Sequence, residues 1–518
     1  MTMNLIQRLA LSVICYPEHE FLVDGPLRLT LAEWDRSINR MARGYQEIGV
    51  RRQDHVVLAL RNRWELITSW YGLMKLGAIA TPINYRFSSG EIAYCVNDAK
   101  ARVFIFENSS RESSMKAARD FPKGCRMLFC DEDPPEGYET FSSFIEAQTD
   151  SALEEPITED LVCLMLYTSG TTGRPKGVPR NHQTQDASAL AHVVQCGYHV
   201  GERTLGVMPL YHVMGIVSLM TMVMLNGRYI VMRNFDAMDM IELVTREKIS
   251  SLYLIPTLFH ELMNAQNPKD DRLSCIRRLA YAGAPMNSTL VNKVINRFNP
   301  EIFTNHYGST EIYTFAINQN LREKPFSAGR PGINSNLRIV NVDPERQINP
   351  DEIVERGKVG EIIASLKSNE SFQGYWNRPD ADKKALHHGW YFTGDLGYED
   401  EDGDIYVSGR VDDMIISGGE NIYPTEVENI LNRHPKVVDS AVIGMEDSKW
   451  GQIVIAFIVP AEHNLTSEEI DRHCHTHVDF SSFKRPRRVI FVKRIPRTAS
   501  GKILRRILRE GEYEFYSS

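Results

Sequence analysis

Cysteine is scarce and scattered: eight in 518 residues, only Cys125 and Cys130 close together, and no C-x-x-C spacing. Such usage offers neither a disulfide framework nor a redox dithiol, and predicts reduced thiols in a cytoplasmic protein. A basic surplus is also missing. The net charge is −8, from 59 Lys and Arg against 67 Asp and Glu, with both signs interspersed. With no basic stripe, nucleic acid is excluded as a partner. No apolar run is long enough to cross a bilayer. The longest, residues 213–225, reads as a core helix, so no stable membrane insertion is expected. Residues 9–15 are apolar behind Arg8, but no small-residue cleavage site follows, which favours an amphipathic first helix over a signal peptide. Internal repeats and low-complexity linkers are absent as well.

What is present is length enough for more than one domain, with ample apolar residues for a large core. Leu31, Trp34, Ile38, Met41, Tyr45 and Ile48 recur at helical spacing, and residues 56–60 then read as a strand. A helix over 64–76 and an apolar segment at 78–83 follow. Strand patterns at 103–106, 203–207, 228–232, 251–255 and 278–282 continue the alternation. This predicts a layered α/β architecture with largely parallel sheets. Over 336–406, short strands broken by Gly, Pro and Asp suggest a smaller β-rich subdomain. Beyond Gly409 comes a compact α+β unit: a helix near 425–433, strands at 440–443 and 453–459, then a basic tail. The expected division is a large N-terminal domain over 1–409, a junction at 410–413, and a small C-terminal domain over 414–518.

Residues 167–177 read Y-T-S-G-T-T-G-R-P-K-G behind an apolar strand at 161–167. Thr168, Ser169, Gly170, Thr171, Thr172 and Gly173 offer hydroxyls and open backbone N–H groups to a polyphosphate, and Lys176 adds a cation. The spacing departs from the common nucleoside-triphosphate loop, because the glycines sit three apart and Lys176 precedes Gly177. Further on, Y-G-S-T-E ends an apolar strand. Tyr307 is suited to stacking on a purine, Thr310 to a phosphate, and Glu311 to Mg²⁺, which takes one or two carboxylates and completes its shell with phosphate and water. In Y-F-T-G-D-L, Asp395 follows a strand and suits two ribose hydroxyls; Arg410 could reach the same sugar or a phosphate. The tempting cluster His473, Cys474, His475 and His477 is set aside. On a helix these side chains diverge, and only the pair His473 and His477 could share a metal.

The ordered set of these motifs, with G-R-V-D-D-M-I-I-S-G-G-E-N-I-Y-P-T-E-V-E and P-R-T-A-S-G-K, resembles the adenylate-forming superfamily of acyl- and aryl-CoA synthetases, luciferases and peptide-synthetase adenylation domains. M-P-L-Y-H, W-G-Q and F-K-R-P are most similar to CoA ligases, including the 4-chlorobenzoate type. The resemblance implies two steps. A carboxylate attacks the α-phosphate of ATP to give acyl-AMP and pyrophosphate; the thiol of coenzyme A then displaces AMP. It implies that residues 168–176 hold the β- and γ-phosphates, Gly283, Ala284, Pro285, Tyr307 and Gly308 surround the adenine, Thr310 and Glu311 serve the α-phosphate and Mg²⁺, and Asp395 and Arg410 hold the ribose. Lys502 would place its charge at the oxygens joining carboxylate and phosphorus.

It further implies a rotation of the C-terminal domain about Asp412, which otherwise reads as an exposed acid in a turn. That motion would withdraw Lys502 and bring Gly418, Gly419 and Asn421 to the site. Arg86, Arg485 and Arg487 are the implied partners of the coenzyme A phosphates. Trp450 and Phe483 pack on its adenine or pantetheine, or else belong to the core. The implied acyl pocket comprises His212, Val213, Met214, Tyr253, His306, Gly308, Tyr313 and Thr314. His212 stands either as a gate or carboxylate contact, or as a satisfied histidine at a helix start. Residues 209–220 hold no Asp or Glu to bind a substrate ammonium, which favours an apolar or aromatic acid over an amino acid. Two other readings are an enzyme loading a carrier-protein phosphopantetheine and a non-catalytic nucleotide-binding regulator. The cluster Arg485-Pro486-Arg487 favours free coenzyme A, and Lys502 speaks against the regulator. A homodimer is the expected assembly.

Overall fold

The computed structural model of the protein describes residues 3–153, 155–168, 174–265, 271–343, 346–418, 420–476, 480–498 and 501–516. The phosphate-loop residues Ser169, Gly170, Thr171, Thr172 and Gly173, with Gly419 and His477, lie outside them.

Helices begin where the sequence provides caps. Thr30 accepts from the Glu33 N–H while Glu33 returns to the Thr30 N–H, starting the helix Leu31–Glu47. Its apolar stripe buries Trp34, Ile38, Met41 and Tyr45, and Trp34 stacks on Phe21 with ring centroids 4.5 Å apart. Ile48, expected in the same helix, is its C-cap residue. The first helix, Leu5–Cys15, buries Leu5, Leu9 and Ser12 and leaves Leu11 and Ile14 exposed, as an amphipathic helix should.

Two large sheets organise the bulk of the chain. One has seven strands in the order Glu139–Thr140, Arg126–Phe129, Val103–Phe106, His55–Ala59, Ile79–Pro82, Val162–Thr168 and Lys176–Asn181. The other has nine: Arg330–Pro331, Ala316–Asn318, Ile302–Tyr307, Arg278–Ala282, Ser251–Leu254, Arg203–Gly206, Arg228–Val231, Glu20–Asp24 and Leu27–Thr30. The central strands of both are parallel, and His55–Ala59, Ile79–Pro82 and Val103–Phe106 are buried throughout. One core joins the sheets: Val56, Leu58 and Leu166 of the first share it with Tyr229, Ile230 and Leu252 of the second. The helix Val213–Met224, apolar on all sides, is buried within that core.

The stretch of short strands forms a five-stranded antiparallel sheet of Leu337–Val340, Gly360–Ser365, Leu386–His387, Trp390–Glu399 and Ile405–Arg410. Val178, Ile312, Phe315, Phe372, Tyr375 and Tyr391 pack in one cluster, which seats this sheet against the hairpin after the phosphate loop. A fourth sheet holds Ile415–Ser417, Glu420–Ile422, Val437–Asp447, Gly451–Pro460 and Arg488–Phe491. The expected strand at 440–443 lengthens to Val437–Asp447 because it pairs along its whole length with Gly451–Pro460. Apolar clusters around Val442 and Ile443 cover the two faces of that hairpin, giving the C-terminal unit a core of its own.

Candidate active site

The strands Val162–Thr168 and Lys176–Asn181 pair antiparallel with Thr168 opposite Lys176. The Thr168 hydroxyl donates to the Lys176 carbonyl at 3.4 Å. The Lys176 ammonium lies 4.0 Å from the centroid of the Tyr375 ring, whose hydroxyl donates to Glu311 Oε1 at 2.7 Å. Burial lowers the Lys176 pKa, and the Glu311 carboxylate opposes that shift. Glu311 is buried and Thr310 half-buried. This loop requires a glycine at 308: a Cβ there would stand 1.7 Å from the Tyr313 carbonyl oxygen. As a Mg²⁺ site, Glu311 supplies one hard carboxylate with Oε2 free of the Tyr375 bond, a donor set that fits an ion finishing its shell with phosphate and water. A second acidic convergence already holds a lysine ammonium among its carboxylates. Asp400, Asp402 and Asp404 all accept from Lys324 Nζ, at 2.8, 2.6 and 2.8 Å.

At the nucleoside end, Tyr307 closes the strand Ile302–Tyr307, and its hydroxyl donates to Asp395 Oδ2 at 2.7 Å. Arg410 Nη1 donates to Asp395 Oδ1 at 2.5 Å, because Asp395 and Arg410 face each other in register across adjacent strands. Gly283, with φ +88°, turns the chain out of the strand Arg278–Ala282 and presents Ala284 and Pro285. The tail meets the large unit at this point, where a Cβ built on Gly501 would lie 3.9 Å from the Ala284 Cβ.

The neighbouring Lys502 is held by two contacts with Thr498: its N–H donates to the hydroxyl, and its carbonyl accepts from the Thr498 N–H. Its charge reaches His212. Burial, and after it the Lys502 ammonium, push that imidazole down to about 4. His212 is therefore neutral at physiological pH, and its buried Nε2 has no hydrogen-bond partner among the described residues.

Behind His212, Tyr253, His306, Tyr313 and Thr314 are all buried. The Tyr313 hydroxyl meets Tyr253 Oη at 3.1 Å and His192 Nδ1 at 3.0 Å, and Thr314 Oγ1 meets His306 Nε2 at 3.2 Å. The His306 and Tyr313 rings lie 4.4 Å apart. Met214 is buried and Val213 half-buried at the start of the core helix.

These groups come from motifs spread over two thirds of the chain, and similarity to known proteins extends further still. The profile of the AMP-binding enzyme family matches residues 11–376, and that of the AMP-binding enzyme C-terminal domain matches 426–502. The chain belongs to this adenylate-forming family. It is 31% identical over 492 residues to a long-chain-fatty-acid–CoA ligase of Mycobacterium tuberculosis, covering 93% of each chain. It is 31% identical over 486 residues to the 4-chlorobenzoate–CoA ligase of an Arthrobacter species, covering 93% of this chain and 90% of that one. Among solved structures, the anthranilate CoA ligase AuaEII in complex with anthranoyl-AMP superposes with a TM-score of 0.89 at 27% identity, over 98% of this chain and 97% of that one.

Within the adenylate-forming frame, Gly418, Trp450 and Arg487, expected at coenzyme A, group on the C-terminal unit, apart from the residues expected at the nucleotide and acyl group. The Gly418 N–H donates to the Trp450 carbonyl at 2.8 Å, and a Cβ on Gly418, whose φ is +62°, would stand 2.9 Å from the indole. Arg487 lies 5.8 Å from the same ring. Trp450 and Phe483 are 40% and 38% exposed, which removes the reading of either as core. Arg485 is paired with Asp471 at 2.8 Å, and Asn421 is exposed on the strand Glu420–Ile422. Arg86 sits on the large unit with its Nε 3.1 Å from the Tyr85 hydroxyl. Asp412 is exposed on a single turn, Val411–Asp413. His473 Nε2 lies 2.9 Å from the Ile430 carbonyl, and Cys474 is buried in the core of the C-terminal unit.

Three site residues escaped sequence reading. Tyr375 joins Lys176 to Glu311, His192 joins the acyl-side hydroxyls, and Arg180 sits fully buried beneath the Thr310–Glu311 backbone. Tyr375 had a signal in its Gly-Tyr-Trp context behind the β-rich stretch. His192 and Arg180 had none, since nothing local tells a buried polar side chain from a solvated one.

Proposed function

We infer that the protein is an AMP-forming acid–thiol ligase that makes an acyl-CoA by way of an acyl-AMP. The observation that carries this reading is that the C-terminal unit sets Gly501 against the Ala284 turn, with the charge of the next residue, Lys502, acting on His212 of the large unit. That arrangement suits the first step. A carboxylate oxygen bonds to the α-phosphorus, and pyrophosphate leaves with the electron pair of the broken P–O bond. Lys502 lies where negative charge grows on the oxygens around phosphorus, and a fixed cation there lowers the barrier. Glu311 would hold Mg²⁺, which neutralises phosphate charge when bound. Asp395 and Arg410 orient the ribose, and Tyr307 packs on the base. Neutral His212, with a nitrogen to spare, contacts the incoming carboxylate.

In the second step the coenzyme A sulfur, having lost its proton, bonds to the acyl carbon, and AMP leaves. Lys502 has no role in that step. The C-terminal unit, residues 414–518, turns about 410–413 at Asp412 and brings Gly418, Gly419 and Asn421 toward the acyl-AMP. Arg487 beside Trp450 supplies a cation and an aromatic face for the 3′-phosphoadenosine, with Arg86, Arg485 and Phe483 completing that contact. A carrier-protein arm lacks this group, which favours free coenzyme A. The substrate class we propose is a mid-sized aryl or apolar acid. Residues 209–220 are free of acids, and Tyr253, His306 and Tyr313 offer ring faces. We propose a cytoplasmic enzyme, consistent with eight free cysteines, and a homodimer. No helix among the described residues is long and apolar enough to cross a membrane.

The test is AMP and pyrophosphate release over a panel of aromatic and aliphatic acids, with coenzyme A or a holo carrier protein as acceptor. Acid-dependent AMP with thioester formed on coenzyme A is expected. Adenylation with no thioester on either acceptor would rule out the ligase.

A further inference from the structure

Arg180 is an unusual residue to find with no solvent exposure and, among the described residues, no carboxylate within ion-pair distance. It follows Lys176 by four positions on the strand Lys176–Asn181. Its Nη1 donates to three backbone carbonyls: Thr310 at 3.2 Å, Glu311 at 3.0 Å and Glu370 at 2.8 Å. Nε donates to Gln185 Oε1 at 3.2 Å, and Nη2 to Ser188 Oγ at 3.0 Å. Burial lowers its pKa to about 10, so it carries its charge at neutral pH.

The other end of the same loop meets the buried carboxyl of Glu370, whose pKa burial raises against the hydrogen bonds it accepts. Glu370 Oε2 accepts from the Thr314 N–H at 3.0 Å, and Oε1 accepts from Asn334 Nδ2 at 3.0 Å. Between these two points the Phe372 N–H donates to the Glu311 carbonyl at 2.9 Å, and Ile312 bridges to Ser371. The segment Thr310–Thr314 thus has a cation on its first carbonyls and a carboxylate on its last N–H. Buried charges of this kind give little net stability over apolar packing. Their geometric effect is larger, because hydrogen bonds to charged groups are short and directional.

We propose that Arg180 and Glu370 are positioning residues which clamp Thr310–Thr314 from both ends and so fix the Glu311 carboxylate toward metal-bound ATP phosphate. The inference rests on the reading of Glu311 as the acid that faces Mg²⁺. Because Arg180 shares a strand with Lys176, the clamp also ties the phosphate-loop hairpin to the acid-bearing loop. Through Thr314, which contacts His306, it extends to the acyl side.

The test compares Arg180→Gln, Arg180→Lys and Glu370→Gln with wild type in three measurements. These are the Mg²⁺ concentration for half-maximal pyrophosphate release, thioester formation from supplied acyl-AMP and coenzyme A, and the thermal midpoint. Arg180→Gln and Glu370→Gln should raise the Mg²⁺ requirement about tenfold, the scale of a lost charge-assisted hydrogen bond. Thioester formation should stay near wild type, and Arg180→Lys should restore part of the loss. An unchanged Mg²⁺ requirement in the folded variants, or an equal loss in both half-reactions, overturns the clamp. If Arg180→Gln fails to fold, Glu370→Gln decides, since it keeps the side chain's shape and removes only the charge that Thr314 and Asn334 donate to. If wild type releases no pyrophosphate with any acid, the ligase reading fails. Calorimetric affinity for Mg²⁺·ATP in the same variants then settles the clamp, with a loss upholding it and no change refuting it.

Discussion

Lys502 illustrates how a residue acquires a role through its neighbours. In the chain it is one cation in a basic tail; in the structure its charge bears on a buried imidazole that lies on the other unit. Lys502→Ala should slow acid-dependent pyrophosphate release by about a hundred- to a thousandfold, the usual cost of removing one group aimed at developing charge. Thioester formation from supplied acyl-AMP should be spared, and comparable losses in both assays would remove Lys502 from the first step. Gly308 gives a second prediction at this scale. Because a Cβ would collide with the Tyr313 carbonyl, Gly308→Ala must push the Thr310–Thr314 loop out of place. Adenylation should fall by more than about tenfold with little change in folding cooperativity, read as half-reaction rate against the thermal melt. Sequence reading singled out Lys502, Gly308, Glu311 and Asp395 because each sits in a motif with fixed spacing. It missed Arg180 and His192 because their partners lie 130 and 121 positions away.

Elements were legible wherever one local rule governed them. The stripe from Leu31 to Tyr45 and the Thr30–Glu33 cap specify a helix without tertiary help. Thr30→Ala should lower the thermal midpoint by the equivalent of about 1 kcal/mol while leaving acyl-CoA formation unchanged, because this cap touches no site residue. A matching fall in activity would mean that the helix does more than support the core. Strand ends were read less well. The hairpin of Val437–Asp447 with Gly451–Pro460 runs past its apolar centre into Glu446, Asp447 and Gln452, where cross-strand pairing continues without hydrophobic alternation. The glycine-rich hairpin shows the complementary case, since its two strands were implied by composition but their register, Thr168 opposite Lys176, is set by pairing.

On the scale of the whole molecule, the approach of Gly501 to the large unit and the grouping of Gly418, Trp450 and Arg487 coexist in one arrangement, and the proposed rotation would undo the first and carry the second to the site. Asp412→Pro restricts the turn between the units and should block thioester formation from acyl-AMP while leaving adenylation intact. Normal overall turnover in that variant would place the hinge elsewhere. The pH dependence of stability is also a global property. Burial holds His55, His182 and His212 down to about 4 and His306 to about 3, whereas in the unfolded chain each titrates near 6.5. Between those values the unfolded state binds more protons. The contribution of these histidines should therefore be level above pH 6.5 and fall as pH drops through this window, by up to about 1.4 kcal/mol per pH unit for each, opposed in part by the Glu361 carboxyl, which burial pushes up to about 7. Thermal midpoints from pH 7.5 to 5.0 check this, and His55→Gln should flatten the slope.

The sequence by itself determined the chemistry. Hydroxyls and glycines at fixed spacing, one acid after Y-G-S-T, one after F-T-G and a lysine near the end can be read in order along the chain, since each motif is short and its geometry local. Tertiary structure decided which of them meet. Long-range packing put Tyr375 between Lys176 and Glu311, left His212 with an open nitrogen under the charge of Lys502, and buried Arg180 beneath the Glu311 loop. Such contacts depend on folding two sheets and a C-terminal unit onto one another, and no local periodicity encodes them.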